Sequence, residues 1–244
     1  MARMHGKDVR VYLGVRDVSG DLNSVDITAS ADTHDVTTFG AEYLAYDAGL
    51  GSWEASLDGF YQTNSGASVT SIERQFETML GSGTAGASVL SVYDDDADAI
   101  GDAGILCSEA ILTTHGQPIS VSDIVKISGS LQGNGRPGLQ GRLLHVLGAD
   151  STSTNSASVD NGASSANGGR ANLHVTAVSG TGGTIKVQHS ADNSTWVDLV
   201  TFTASTAASC QSSAVTGTVN RYLRCASTIN STSSVTFVAG FARY

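Results

Sequence analysis

The chain has 244 residues and a net charge of −10, with 40% apolar but only 6% aromatic and 15% charged residues, and 28 Gly beside 2 Pro. That length holds one large domain or two ordinary ones, and the composition excludes collagen-like and highly charged disordered chains. The acidic balance argues against a protein that grips nucleic acid by neutralising phosphates.

Small, β-branched and hydroxyl residues with recurrent Gly read as an all-β protein of many short strands. The charge is unevenly spread: residues 1–137 hold 7 Lys/Arg against 19 Asp/Glu, residues 138–244 hold 6 against 4. Two units with different surfaces are expected. No apolar run approaches the ~18 residues of a membrane-spanning helix. The polar start Met-Ala-Arg-Met-His-Gly-Lys-Asp lacks the apolar core of a secretory signal, so cytoplasmic synthesis is the expectation.

In chain order, residues 7–13 and 21–30 alternate as strands. Residues 51–62 alternate more clearly, with Trp53, Ala55, Leu57 and Tyr61 on one face and Glu54, Ser56, Asp58 and Gln62 on the other. Val69, Ile72, Phe76, Met79 and Leu80 recur at helical spacing, Thr70 and Glu73 make a capping pair, and Gly81 stops the run. One amphipathic helix is therefore predicted over 69–80. Strands are predicted again at 87–93, 104–114 and 118–131. The Gly-rich stretch 132–141 reads as a linker. It divides the chain into a first domain over 1–134, a linker over 135–141 and a second domain over 142–244. Beyond it, Leu143–Leu147 and segments 171–179, 184–190, 195–203, 213–219, 221–229 and 234–242 have the spacing of a β-sandwich. Its expected core is Trp196 and Phe202 with Leu173, Val175, Ile185, Val187, Leu223 and Phe237.

Motifs of catalysis are scarce. The six His are scattered, and no zinc-protease, nucleophile-elbow or phosphate-loop pattern occurs. His34 between Asp32 and Asp35 reads as a solvated loop. The acidic run Asp94–Asp102 fails as a calcium loop, because Ala99 stands where the turn needs Gly and Ile105 where a Glu should close the site. Cys107, Cys210 and Cys225 lack zinc-site spacing and read as packing residues, with a Cys210–Cys225 pairing left open. Neither a metal nor a cofactor is expected, and no enzyme. The sequons at Asn193 and Asn230 read as chance.

The segments "LGVRDVSGDLNSVDITASADTHDVTTFG" and "GSWEASLDGFYQ", followed by one short helix and further strands, resemble the major tail protein of long-tailed phages with non-contractile tails. Asp35-Val36-Thr37-Thr38-Phe39-Gly40 is the most specific piece. "VDNGASSANGGRANLHVTAVSGTGG", "VQHSADNSTWVDLVTF" and "VTGTVNRYLRCAS" resemble the Ig-like or related β-sandwich often appended to tail proteins of phages infecting actinobacteria. The resemblance implies a mainly β fold, with a tail-tube-type β-barrel or sandwich and its single α-helix followed by the C-terminal sandwich. It further implies hexameric rings stacked into a tube through which DNA passes without specific binding. Partners would be further copies of the chain and the tape-measure, terminator and distal tail proteins, in a virion tail assembled in the host cytoplasm, with no membrane.

An acidic domain suits such a conduit, because it repels the duplex and lets it slide. Asp26, Glu54 and Asp58, on the wet faces of their strands, are the candidate lumen residues. The segment Thr33–Leu50, with Phe39, Tyr43, Leu44, Tyr46 and Leu50, is too long and apolar for a free loop and is expected to be an arm onto an adjacent subunit or ring. Two rival readings remain. One is a carbohydrate-binding or adhesion module, in which an exposed Trp196 stacks on a glycan; the other is a capsid decoration or tail-completion protein.

Overall fold

The computed structural model describes residues 6–61, 72–80, 88–94 and 97–244. Strand β1 (Arg10–Leu13) turns at Gly14 into β2 (Arg16–Asp17) and pairs on its other side with β5 (Ser88–Tyr93). β3 (Leu22–Asp35) and β4 (Tyr46–Phe60) form a long hairpin. β4 also pairs with β7 (Lys126–Gly133), β7 with β6 (Ala103–Gly116), and β6 with β5. All these pairings are antiparallel, so consecutive side chains alternate between a core face and a wet face. In β4 the expected alternation holds: Trp53, Ala55 and Leu57 are buried and Glu54, Ser56 and Asp58 exposed.

Helix α1 (Ile72–Met79) buries Ile72, Gln75, Phe76 and Met79 in that core, which also contains Leu13, Trp53, Leu57, Leu90, Leu112, Ile127 and Leu131. Val69, the expected Thr70 cap and the Gly81 stop lie outside the described residues. Among the described residues, a cap comes from far along the chain, as the Ile72 amide donates to Asp21 Oδ2 at 2.9 Å. Burial raises the Asp21 carboxyl above the usual range, the bond from Ile72 lowers it, and Asp17 raises it further. Asp21→Ala is expected to destabilise the fold by about 1 kcal/mol, and Asp21→Asn by much less because its amide oxygen still accepts. Urea unfolding midpoints check this; an unshifted Asp21→Ala midpoint removes the cap from the account.

The second half begins without a break in the sheet. Residues 138–141 of the expected linker already belong to β8 (Gly138–Asp150), with Gly138 opposite Leu106 and Gly141 opposite Gly104 of β6. The Asn134 amide donates to the Glu109 carbonyl at 2.7 Å, so the turn between β7 and β8 is itself tied to β6. β8 pairs with β16 (Ser234–Arg243), β16 with β11 (Gly169–Ser179), and β11 with β14 (Ser209–Val215), completing an eleven-stranded sheet. A five-stranded sheet joins β9 (Thr154–Asn155), β10 (Val159–Asp160), β12 (Gly183–Ser190), β13 (Val197–Thr201) and β15 (Tyr222–Ile229). Leu173, Val175, Ile185, Val187, Phe202, Leu223 and Phe237 pack together as the sandwich core, as their alternation predicts.

The other face of β11 meets the first half. His174 Nδ1 lies 2.8 Å from the Gly14 carbonyl and its Nε2 2.8 Å from Ser91 Oγ. Asn172 Nδ2 donates to Ser91 Oγ at 3.0 Å and to the Cys107 carbonyl at 2.8 Å, while its Oδ1 accepts from Ser212. Tyr12, Tyr93, Leu106, Leu143, Val238 and Ala242 form an apolar cluster drawn from both halves. The three thiols are free: Cys107 and Cys225 are buried and Cys210 half-buried. Cys210 sits on β14 opposite His174, whereas Cys225 sits on β15 opposite Val187, in the other sheet.

Candidate functional site

Three surfaces carry the residues singled out by sequence. The first is the distal part of the β3–β4 hairpin. β7 pairs only with Glu54–Phe60, so among the described strands the part of β4 from Tyr46 to Trp53 is paired with β3 alone. The stretch of β4 from Tyr46 to Trp53, at ~3.3 Å per residue, gives a two-stranded ribbon of roughly 26 Å. The expected loop from Thr33 to Leu50 is thus narrower: Thr33 pairs with Ala48 and Asp35 with Tyr46, leaving 36–45 as the tip. The tip is ordered by its own hydrogen bonds. Val36 N donates to the Ala45 carbonyl at 2.9 Å, and Ala45 N donates to Thr37 Oγ1 at 2.9 Å. Thr37 N donates to Asp35 Oδ1, and the Thr37 hydroxyl and amide hold Asp35 below the usual carboxylate range. Phe39, Tyr43, Leu44, Tyr46 and Leu50 are all exposed, Tyr43 and Leu50 at 84%.

The second surface is the wet face of β3, β4 and β7. Thr28 stands opposite Glu54, Asp26 opposite Ser56 and Ser24 opposite Asp58. On the other side of β4, Glu54 stands opposite Gln132, Ser56 opposite Ser130 and Asp58 opposite Ser128. Asp26, Glu54 and Asp58 are therefore brought together on one exposed face whose other members carry hydroxyls or an amide. Lys126, opposite Phe60 at the end of this face, is ion-paired with Asp123 at 2.8 Å.

The third surface surrounds Trp196, which the alternation places in the sandwich core and the structure does not. Asp192 accepts from the Ser194 amide at 2.9 Å and the Thr195 amide at 2.7 Å, with Asn193 at φ +59°. The β12–β13 pairing shifts register between Val187 and Gln188, so that Val200 stands opposite Val187 but Asp198 opposite Gln188; this bulge at Leu199 leaves Val200 and Phe202 in the core and turns Trp196 to the other face. Trp196 is half-buried, with the Arg224 guanidinium 4.2 Å from its ring centroid. Arg224 Nε also donates to Gln188, so the face on which a sugar would stack carries a tethered cation. Of the acidic run, Asp95 and Asp96 lie outside the described residues, and Asp102 accepts from the Ala99 amide at 2.9 Å. Among the described residues no three His, Cys, Asp or Glu side chains gather as a metal site, and no helix is long and apolar enough to cross a membrane.

One exposed apolar segment was not singled out as a surface by its sequence. The strand predicted over 118–131 begins only at Lys126, and residues 117–125 form the β6–β7 loop, with Ile119, Val121 and Ile124 exposed. The β-branched alternation is present there, but among the described residues no strand pairs with it.

The fold thus defines an all-β protein in which a helix-bearing β unit and a two-sheet sandwich share one continuous sheet. No family model and no curated protein matches the chain. Among solved structures, it is similar to the virion of a native gene transfer agent particle over 55% of this chain and 97% of that one, with 14% identity and a TM-score of 0.44. It is similar to the SPP1 tail tube over 57% and 78%, with 12% identity and a TM-score of 0.44. The SPP1 Dit protein of the hub adsorption apparatus is similar over 95% and 98%, with 10% identity and a TM-score of 0.37.

Proposed function

We propose that this protein is the tube subunit of a long, non-contractile phage tail, a structural component without catalysis. Copies close into hexameric rings, rings stack into a tube, and DNA passes down the tube during ejection. Residues 1–134 form the oligomerising unit and residues 142–244 the outer, decorating unit, held in a fixed orientation by the shared sheet. The tape-measure, terminator and distal tail proteins are its further partners in the virion tail.

The observation that carries this reading is the ribbon. An isolated two-stranded hairpin is marginal in water, and this one presents Phe39, Tyr43, Leu44, Tyr46 and Leu50 to solvent. Such an apolar arm gains stability by burial against another subunit. The wet face with Asp26, Glu54 and Asp58 supports the same reading. Facing the channel, its carboxylates repel phosphates, its cross-strand neighbours carry hydroxyls or an amide, and Lys126 at its end is paired with Asp123.

Electron microscopy of the concentrated full-length protein tests the proposal. Rings or tubes with a channel wide enough for a DNA duplex are expected; a monomer at every concentration overturns it. Tyr43→Pro is expected to abolish tubes while changing the unfolding free energy by no more than about 0.5 kcal/mol, as for an exposed site away from the core. Tubes of parental length from that variant remove the arm from the assembly.

A further inference from the structure

We infer that the β6–β7 loop, residues 117–125, is the surface that receives the arm of the next copy, pairing with it as an added strand. The inference rests on the tube reading and names the two ends of its repeating contact.

The first argument is position. β4 runs for 15 residues from Tyr46 at the arm to Phe60, and Phe60 pairs with Lys126, the residue that follows the loop. The Tyr61 amide donates to the Val125 carbonyl at 3.0 Å, fixing the loop at that end of the strand. Arm and loop are therefore separated by a strand of roughly 50 Å at ~3.3 Å per residue. Each copy carries one of each at opposite ends. Joining unlike ends gives a heterologous, head-to-tail contact, the kind that builds a filament when its rotation does not close into a ring.

The second argument is conformation. Ile119, Ser120, Val121 and Ser122 alternate β-branched and hydroxyl residues, a pattern suited to a pleated, half-buried strand. In the single chain they form a loop with Ile119, Val121 and Ile124 in solvent. Two backbone amides of their turn make long bonds, Asp123 N to Ser120 O and Ser122 N to Ser120 Oγ, each at 3.4 Å and beyond the usual 2.7–3.2 Å range. The shorter bonds, Ser120 to Ser122 at 3.1 Å and those of Asp123 to Ile124 and Lys126 at 2.8 Å, are exposed and local, so water can replace them when the segment straightens. The arm offers what the segment lacks. Along Tyr46–Trp53, β4 pairs only with β3 among the described strands, and β3 pairs only with β4, so both outer edges of the ribbon can accept another strand. Strand addition then satisfies backbone groups on both partners and buries Ile119 and Val121 against the arm's aromatic residues.

The charge pattern favours a further copy over a nucleic-acid or membrane partner. The arm carries Asp32, Asp35, Glu42 and Asp47 and no Lys or Arg between residues 32 and 50, so neither phosphates nor anionic headgroups are attracted to it.

Disulfide trapping tests the inference. One tagged copy carries Val121→Cys and a second, differently tagged, carries Leu44→Cys; the mixture is assembled and oxidised. A disulfide joining the two tags is expected in tubes, and its absence is expected when Leu44→Cys is replaced by Val197→Cys on the sandwich surface. Tubes that give no cross-link from Val121→Cys to cysteine at 39, 43, 44, 46 or 50 overturn the inference and leave the tube reading standing. Failure of the parent chain to form rings or tubes overturns both. Val121→Lys is expected to keep the parental melting temperature and lose the tubes; full-length tubes from it also overturn the inference.

Discussion

Gly133→Ala is expected to lower the unfolding free energy by about 2–4 kcal/mol, a large effect for one added methyl group. Gly133 closes β7 opposite Ala110 of β6, and a Cβ there meets Trp53 Cε2 and Nε1 at 1.9 Å. Trp53 is the largest fully buried side chain, and its Nε1 donates to Ser108 Oγ at 2.7 Å within the core. The indole cannot retreat without losing that bond and disturbing Leu57 and Leu131, which share its cluster. Overpacking of this kind costs about 1–3 kcal/mol, and the lost buried hydrogen bond about 1 more. Trp53→Phe removes the two closest clashing positions, Nε1 and Cε2, and keeps the one at Cδ2, so in the Gly133→Ala background it is expected to cost less stability than it costs alone. A double-mutant cycle in urea measures the coupling. Strictly additive costs refute the account of Gly133 as the groove for the indole.

Much of this architecture is readable from the chain, because local patterning and tertiary packing agree. The alternation through Trp53, Ala55 and Leu57 is that of a strand with one wet face, and the structure has that strand with that face. Ile72, Phe76 and Met79 recur at helical spacing and lie on the buried side of α1. What the chain does not announce are effects of distant partners. Asp21 caps the Ile72 amide of α1, because hydrogen-bonding reach is set by the folded sheet and not by sequence distance. The Gly-rich stretch around 135–141 has the composition of a linker, yet its glycines let β8 approach β6 closely: a Cβ at Gly141 meets Leu106 at 2.1 Å.

The candidate surfaces divide in the same way. Exposure of Phe39 and Tyr43 follows from an apolar run too long to be a solvated turn, and the common face of Asp26, Glu54 and Asp58 follows from strand period plus register. Trp196 misleads, since a bulge at Leu199 in the β12–β13 pairing puts it out of phase with Val200 and Phe202. The loop at 117–125 misleads in the opposite sense. Its sequence has strand character, but a strand requires a neighbour, and the described residues supply none beside Ile119 and Val121.

The junction between the two halves is expected to weaken in mild acid through one residue. His174 is completely buried between β11 and the first unit, and that burial pushes its pKa down to about 4 against 6.5 when exposed, although the bond to Gly14 opposes the shift. The Gly14 carbonyl only accepts, so Nδ1 carries the proton and Nε2 accepts from the Ser91 hydroxyl, which itself accepts from Asn172. A second ring proton breaks that chain and places a charge beside Tyr12, whose ring centroid is 5.8 Å away. The unfolded chain binds this proton below about pH 6.5 and the folded chain only below about pH 4, so stability falls as the pH is lowered between those values and this contribution levels off below them. The full difference is about 3 kcal/mol at 1.36 kcal/mol per unit. His189, also lowered by burial and by Arg243, acts in the same direction on the sandwich. His174→Gln separates the two: at neutral pH it costs about 1–3 kcal/mol for the broken network, but its stability then declines less than the parent's between pH 6.5 and 4. Unfolding free energies measured across that range are expected to converge as the pH falls; parallel curves place the acid sensitivity elsewhere.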